Sequence, residues 1–162
     1  MLKEKLRALP IDHVLRASVF GGIVADMMTT VYFMKYWEAT QMGPRLWSLS
    51  LSFRGLSWQE LDENFQSELT ALLANTLGFM LFAFVAVNLF FYAFLLRKKT
   101  WAYHYAFGFW LTAGLLSFSG MLEGFPVGGL WEALNLLSLP LYLALAGVVW
   151  LRKSELGGHG FR

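Results

Sequence analysis

An apolar run at residues 17–37 constrains the fold most, because its length matches an α-helix that crosses about 30 Å of hydrocarbon. One acid, Asp26, lies close to the middle of this run. At 1.5 Å per residue, Asp26 is ~15 Å along the helix from Arg16 and ~14 Å from Lys35. A charge at this depth costs at least a few kcal/mol, so a mid-membrane acid is a candidate functional residue that needs a partner.

The composition places the chain in lipid rather than in water. The 162 residues are 57% hydrophobic and 15% charged, whereas soluble domains average about 25% charged residues. Residues 1–162 leave room for one membrane domain. Cysteine is absent, which excludes disulfides, thiolate metal sites, iron–sulfur clusters and cysteine nucleophiles. The basic residues stand in short clusters beside apolar runs, so we expect them to set topology and do not expect nucleic-acid binding.

Four apolar segments predict the architecture. We expect transmembrane helices at about residues 15–37, 69–96, 101–122 and 130–151, that is, an all-α integral membrane protein built as a four-transmembrane-helix bundle. Only Lys35, Arg45 and Arg54 flank one side of these spans, and the other basic residues flank the opposite side. The positive-inside rule then predicts that both termini are cytoplasmic, and we expect the membrane to be a bacterial cytoplasmic (inner) membrane.

The extracytoplasmic loop at residues 38–68 is too long for a plain connection and is expected to carry structure. At residues 46–54, apolar and polar side chains alternate, which predicts an extended segment or strand with one face covered. At residues 57–60, the sequence Ser-Trp-Gln-Glu reads as a capping box, which predicts a helix that begins there and continues into the second span.

Small residues recur at helical spacing in the first and third spans. Such residues let helix backbones approach closely in lipid, so we expect packing faces that permit self-association as a homo-oligomer. The residues in these faces are Ser18, Gly21, Gly22, Ala25, Ala113, Ser117 and Gly120.

The intramembrane polar residues suggest a pathway for an ion. We expect Asp26 to be its central cation or proton site, with Thr30 and Asn135 as helpers and Glu123 and Glu132 at an acidic outer mouth. Oxygen ligands of this kind suit protons or hard cations, and we expect no bound transition metal and no cofactor. A second reading stays open: a protonated Asp26, hydrogen-bonded to a neighbouring Asn or Thr, locks helices together.

Three functions follow from these features. The first is a small oligomeric channel or transporter for a cation or proton. The alternative is a non-catalytic accessory or assembly subunit that binds a larger membrane partner. The third is an intramembrane lipid-modifying enzyme with Glu123 and Glu132 as its acids. Because neither a nucleophile triad nor a histidine-rich centre is visible, we expect the chain not to be an enzyme.

Overall fold

The computed structural model describes residues 8–122 and 128–153, and the regular structure in these residues is helical, with no strand. A short 3-10 turn occupies Trp58–Glu60. The α-helices given for the described residues are α1 (Ile11–Ala39), α2 (Met42–Ser52), α3 (Glu63–Leu96), α4 (Thr100–Leu122) and α5 (Gly129–Leu151).

Three of these helices, α1, α3 and α5, are long and apolar enough to cross a membrane. This supports the prediction of a membrane protein with transmembrane helices. The helix α4 has 23 residues and lies close to the predicted third span. Its crossing of the membrane, and with it the four-span topology, stays a prediction.

The long helices α1, α3, α4 and α5 pack side by side. The helix α5 lies between α1 and α4 and has the most extensive contacts with both, whereas α3 packs less extensively against α1 and α4. The α2 helix packs mainly on α3.

Contacts at the two ends of the bundle fix the directions of the helices. The Lys98 ammonium, just after α3, lies 2.9 Å from the Asp12 carboxylate at the start of α1. The Arg152 guanidinium, just after α5, donates two hydrogen bonds of 3.1 and 3.0 Å to the carbonyl of Leu9. We call this the Asp12 end. The α1 start and the α3 and α5 ends therefore meet there, and the short connection between α3 and α4 places the α4 start there too.

The opposite end carries the α1 terminus and the α5 start. The Lys35 ammonium lies 5.8 Å from the centre of the Trp131 ring and 2.7 Å from the Glu38 carboxylate. We call this the Lys35 end. Whether it faces the outside of a cell stays a prediction from the charge pattern.

The buried core is concentrated toward the Asp12 end, and we call this part the packed half. Toward the Lys35 end, α3 has no buried residue before Asn88. Phe79 there is 72% exposed, which suits a surface that faces lipid. The buried apolar residues of the packed half include Leu15, Val19, Leu95, Ala102, Ala106, Ala146 and Val149.

The strand predicted at residues 46–54 is wrong, because most of this segment belongs to the α2 helix. An isolated strand leaves its backbone groups without partners, whereas a helix satisfies them internally. The α2 helix is also anchored: the Trp47 indole N–H donates a 2.9 Å hydrogen bond to the carbonyl of Leu69. Pro44 lies in the first helical turn, where its missing N–H costs nothing.

The capping box predicted at residues 57–60 is also wrong as a helix start. The Ser57 hydroxyl donates to the side-chain carbonyl of Gln59 at 2.6 Å, and a single 3-10 turn follows. The α3 helix begins at Glu63, where the Asp62 carboxylate accepts a 3.1 Å hydrogen bond from the Asn64 N–H. Asp62 is thus the true N-cap, and its charge complements the helix dipole.

Candidate functional site

The Asp26 carboxyl group is buried in the middle of the bundle, with the residue 2% exposed. Its Oδ1 accepts a 2.7 Å hydrogen bond from the Tyr142 hydroxyl on α5. Its Oδ2 accepts hydrogen bonds of 2.9 Å from the Tyr92 hydroxyl and 3.1 Å from the Asn88 amide, both on α3. This is the arrangement that suits a carboxylate, which only accepts hydrogen bonds.

A second layer of donors orients these partners. The Trp110 indole N–H on α4 donates a 2.9 Å hydrogen bond to the Tyr92 oxygen. Because an indole N–H cannot accept, the Tyr92 hydroxyl hydrogen is left to point at Asp26. The Tyr105 hydroxyl donates a 2.5 Å hydrogen bond to the Asn88 side-chain carbonyl, which turns the amide nitrogen toward Asp26.

All four long helices therefore contribute to one hydrogen-bonded network around a single carboxyl group. We call it the Asp26 cluster, and it consists of Asp26, Asn88, Tyr92, Tyr105, Trp110 and Tyr142. No lysine, arginine or histidine within the described residues forms an ion pair with Asp26.

The glycines of α1 permit this close packing. A Cβ atom on Gly22 would lie 2.9 Å from the Trp110 ring and 3.1 Å from the Tyr92 hydroxyl. A Cβ atom on Gly21 would lie 3.1 Å from the Leu145 side chain. The predicted small-residue face of α1 is thus used inside the bundle. Ser18 and Ala25 are buried beside these glycines.

A cavity of about 450 Å³ lies next to the Asp26 cluster, on its Lys35 side. Residues from all four long helices line it, and none of them carries a charge. We call it the aromatic cavity. Its lining residues are Thr29, Tyr32, Phe33, Tyr36, Phe84, Phe109, Thr112, Ala113, Leu116, Ser117, Asn135 and Tyr142.

Tyr142 connects the aromatic cavity with Asp26, because its ring lines the cavity while its hydroxyl donates to the carboxylate. The Phe109 ring meets the Tyr142 ring edge-on, with 6.1 Å between the ring centres. The Thr29 side chain also lines the cavity, and its hydroxyl is buried with no hydrogen-bond partner among the residues that the structure describes. Tyr142 thus places a hydroxyl group between the cavity and the carboxylate.

Of the residues predicted to form one pathway, only Asp26 belongs to the Asp26 cluster. Asp26 is buried at the centre, but the Thr30 hydroxyl is buried without a hydrogen bond and lies outside the Asp26 cluster. Asn135 lies in the wall of the aromatic cavity. Glu132 is half-buried in the first turn of α5 and does not line the cavity. Glu123 lies outside the described residues.

The small residues predicted on the third span have different surroundings. Ala113 and Ser117 line the aromatic cavity, and Ala113 also packs against the buried core. The packing of Gly120 lies outside what the structure describes. Gly114, between the predicted positions, makes the close contact instead: a Cβ atom there would lie 2.8 Å from the Leu143 side chain.

The partners of Asp26 were not identified from the sequence. Tyr92, Tyr105 and Trp110 fit the aromatic and apolar pattern of a membrane span. That pattern does not predict which hydrogen bonds their hydroxyl and indole groups make. One signal was present: Asn88 and Tyr92 are four residues apart, so they share a helix face near the middle of the second span.

Comparison with known protein families, with curated proteins and with solved structures finds no match for this chain, so its function is argued from the geometry of the site.

Proposed function

We propose that the protein is a small membrane transporter that translocates protons, with Asp26 as the site that binds and releases the proton. One observation carries this proposal. The buried Asp26 carboxylate is linked through Tyr142 to a cavity on its Lys35 side, while the packed half covers its Asp12 side.

The surroundings of Asp26 favour a proton over a metal ion. Hard divalent cations need about six or more oxygen ligands. Around Asp26, the Asn88 nitrogen cannot coordinate, and the Tyr92 oxygen already accepts the Trp110 N–H. A proton needs only one carboxylate oxygen, and Oδ1 lies 2.7 Å from the Tyr142 hydroxyl.

The two unequal halves favour a transporter over an open channel. A channel needs a continuous path, but the packed half places Leu15, Leu95 and Val149, all almost fully buried, on one side of Asp26. A site with a cavity on one side and closely packed side chains on the other is expected for one state of an alternating-access cycle. In this proposal, release toward the Asp12 end requires the packed half to open.

The hydroxyl groups at the cavity supply the proton route. Tyr142 accepts a proton at its oxygen from the cavity side while its own hydrogen passes to Oδ1 of Asp26. This exchange leaves tyrosine neutral and the carboxyl group protonated. Thr29 lines the cavity and its buried hydroxyl has no hydrogen-bond partner among the described residues, so this hydroxyl is available to take part on the cavity side.

The competing candidate is a structural role, a lock in which the Asp26 cluster only holds the helices together. The extensive hydrogen bonding within the Asp26 cluster favours this candidate. Hydrogen bonds from α3 and α5 to a carboxylate on α1 hold the helices together whether or not the proton ever exchanges. A lock suits the accessory subunit, which has no transport activity of its own. Self-association is not needed for the proposed site, because one chain provides it, and the homo-oligomer stays a prediction.

The test is proton flux into liposomes that contain the purified protein and a trapped pH-sensitive dye, driven by an imposed membrane potential. Asp26→Asn removes the titratable group with almost no change in shape. Asp12→Asn is the matched control, because it is the same substitution in the same helix at an exposed end. We expect flux from wild type and Asp12→Asn, and only the protein-free leak from Asp26→Asn.

Two outcomes would overturn the proposal. One is equal flux from wild type and Asp26→Asn. The other is no proton flux from a correctly folded wild type, which would leave the structural lock and the accessory subunit in first place. Parallel assays with sodium, potassium and calcium test the choice of a proton over a metal cation.

A further inference from the structure

The Asn135 side chain is the one amide in the wall of the aromatic cavity. The residue is 4% exposed, and no hydrogen bond of its side-chain amide to the described residues is present, so the amide is available to a molecule in the cavity. A hydrogen bond to such an amide contributes about 0.5–1.5 kcal/mol. A bound molecule with one polar group can make this hydrogen bond.

The aromatic cavity has the properties of a small-molecule site. Its volume of about 450 Å³ lies within the range of roughly 300–1,000 Å³ that is typical of ligand pockets. Its walls are mainly aromatic and aliphatic, with a few hydroxyl groups and one amide, and this mixture is typical of such pockets. The rings of Tyr32, Phe33, Phe84 and Phe109 offer flat surfaces for a flat ligand.

We propose that the aromatic cavity binds a neutral, mainly apolar ring compound whose single carbonyl or hydroxyl group hydrogen-bonds the Asn135 amide. This inference goes beyond the proposed function, because a ligand can occupy the cavity whether or not Asp26 exchanges protons.

The charge of the ligand follows from the lining. No lining residue carries a charge, so a charged ligand would lose its hydration without gaining an ion pair. The nearby Asp26 carboxylate does not attract a cation into contact, because its oxygens are occupied by Tyr142, Tyr92 and Asn88. The amide of Asn135 both donates and accepts, so either a carbonyl or a hydroxyl group fits it.

The probe for a test is 4-(hydroxymethyl)benzophenone, a neutral two-ring compound with a hydroxyl group that inserts into nearby C–H bonds on illumination. The matched charged probe is 4-benzoylbenzoate, which has the same rings and a carboxylate. Each is added to the protein in liposomes, illuminated, and the labelled residues are located by mass spectrometry. We expect the neutral probe to label cavity residues of α1 and α4, saturably, and the anionic probe to leave them unlabelled.

Two variants test the site itself. Asn135→Leu keeps the size of the side chain and removes the amide, so half-saturation by the neutral probe should need about five- to tenfold more compound, the effect of one hydrogen bond. Ala113→Leu adds three carbons to the cavity wall and should weaken saturable labelling. The matched control is Ala83→Leu, on a helix α3 residue that is not part of the cavity lining, and it should label like wild type.

The proposal is overturned if labelling rises linearly with probe concentration and spreads over the lipid-facing residues of α3, since that pattern reports partitioning into the bilayer only. It is also overturned if Ala113→Leu labels like wild type, or if both probes label the cavity equally. Because labelling needs no transport, its result is independent of the flux measured in liposomes.

Discussion

The two halves of the bundle are built from the same helices but from differently sized residues. In the packed half, small side chains such as Ala102 and Ala106 stand beside large ones such as Trp110, so the helices close around each other. Toward the Lys35 end, large rings such as Tyr32 and Phe84 occupy the interior positions, and a cavity remains between them. Asp26 lies at the boundary. Side-chain size along α1, α3 and α4 thus decides where the interior is closely packed and where a cavity remains.

The largest difference between the halves is expected from one substitution made in each. Ala106 and Ala113 are seven residues apart on α4, so they share a helix face. Ala106→Leu adds three carbons to a fully buried position and should destabilise by about 1–3 kcal/mol. Ala113→Leu points the same atoms into the aromatic cavity and should change stability far less. Thermal unfolding in one detergent measures both, and equal losses would contradict the division into two halves.

A smaller difference is expected from removing one hydroxyl group in each half. Tyr92→Phe removes a donor to Asp26 and leaves the Trp110 indole N–H without its acceptor, so the free energy of unfolding should fall by about 1–3 kcal/mol. Tyr32→Phe removes a hydroxyl in the aromatic cavity, where no hydrogen bond to it is described, and should be nearly neutral. Denaturation curves of both variants provide the test. A neutral Tyr92→Phe would mean that the Asp26 cluster does not stabilise the bundle.

The smallest effect is expected at the Asp12 end. The Asp12 side chain is 60% exposed, so water and salt screen its ion pair with Lys98. Asp12→Asn should leave the melting temperature within experimental scatter, at low and at high salt. A salt-dependent loss of stability in this variant would show that the end contact matters more than exposed ion pairs usually do.

Much of the helical architecture was predictable from the sequence, because long apolar runs bounded by charges determine where helices begin and end in lipid. The predicted span at residues 130–151 differs from α5 by one residue at its start. The strand predicted at residues 46–54 is wrong. The alternating side chains favour a strand, but a segment without a partner strand satisfies its backbone hydrogen bonds by forming a helix.

The candidate site was predictable only at its centre. The cost of a charge in lipid identified Asp26 and required partners for it, and the structure places it buried among donors. The identities of those partners depend on how α3, α4 and α5 rotate about their axes. Rotation is set by packing details, such as the fit of Trp110 against Gly22, that periodicity does not contain.

Infrared difference spectroscopy of the protein in liposomes measures directly whether the Asp26 carboxyl group changes its protonation state. Spectra at acidic and alkaline pH are subtracted for wild type, Asp26→Asn and Tyr142→Phe. We expect a band of a protonated carboxyl group in wild type that is absent in Asp26→Asn and shifted in Tyr142→Phe, because the hydrogen bond to Oδ1 is lost. An identical difference spectrum for wild type and Asp26→Asn, over the whole pH range in which the protein stays folded, would contradict it and identify Asp26 as a structural lock.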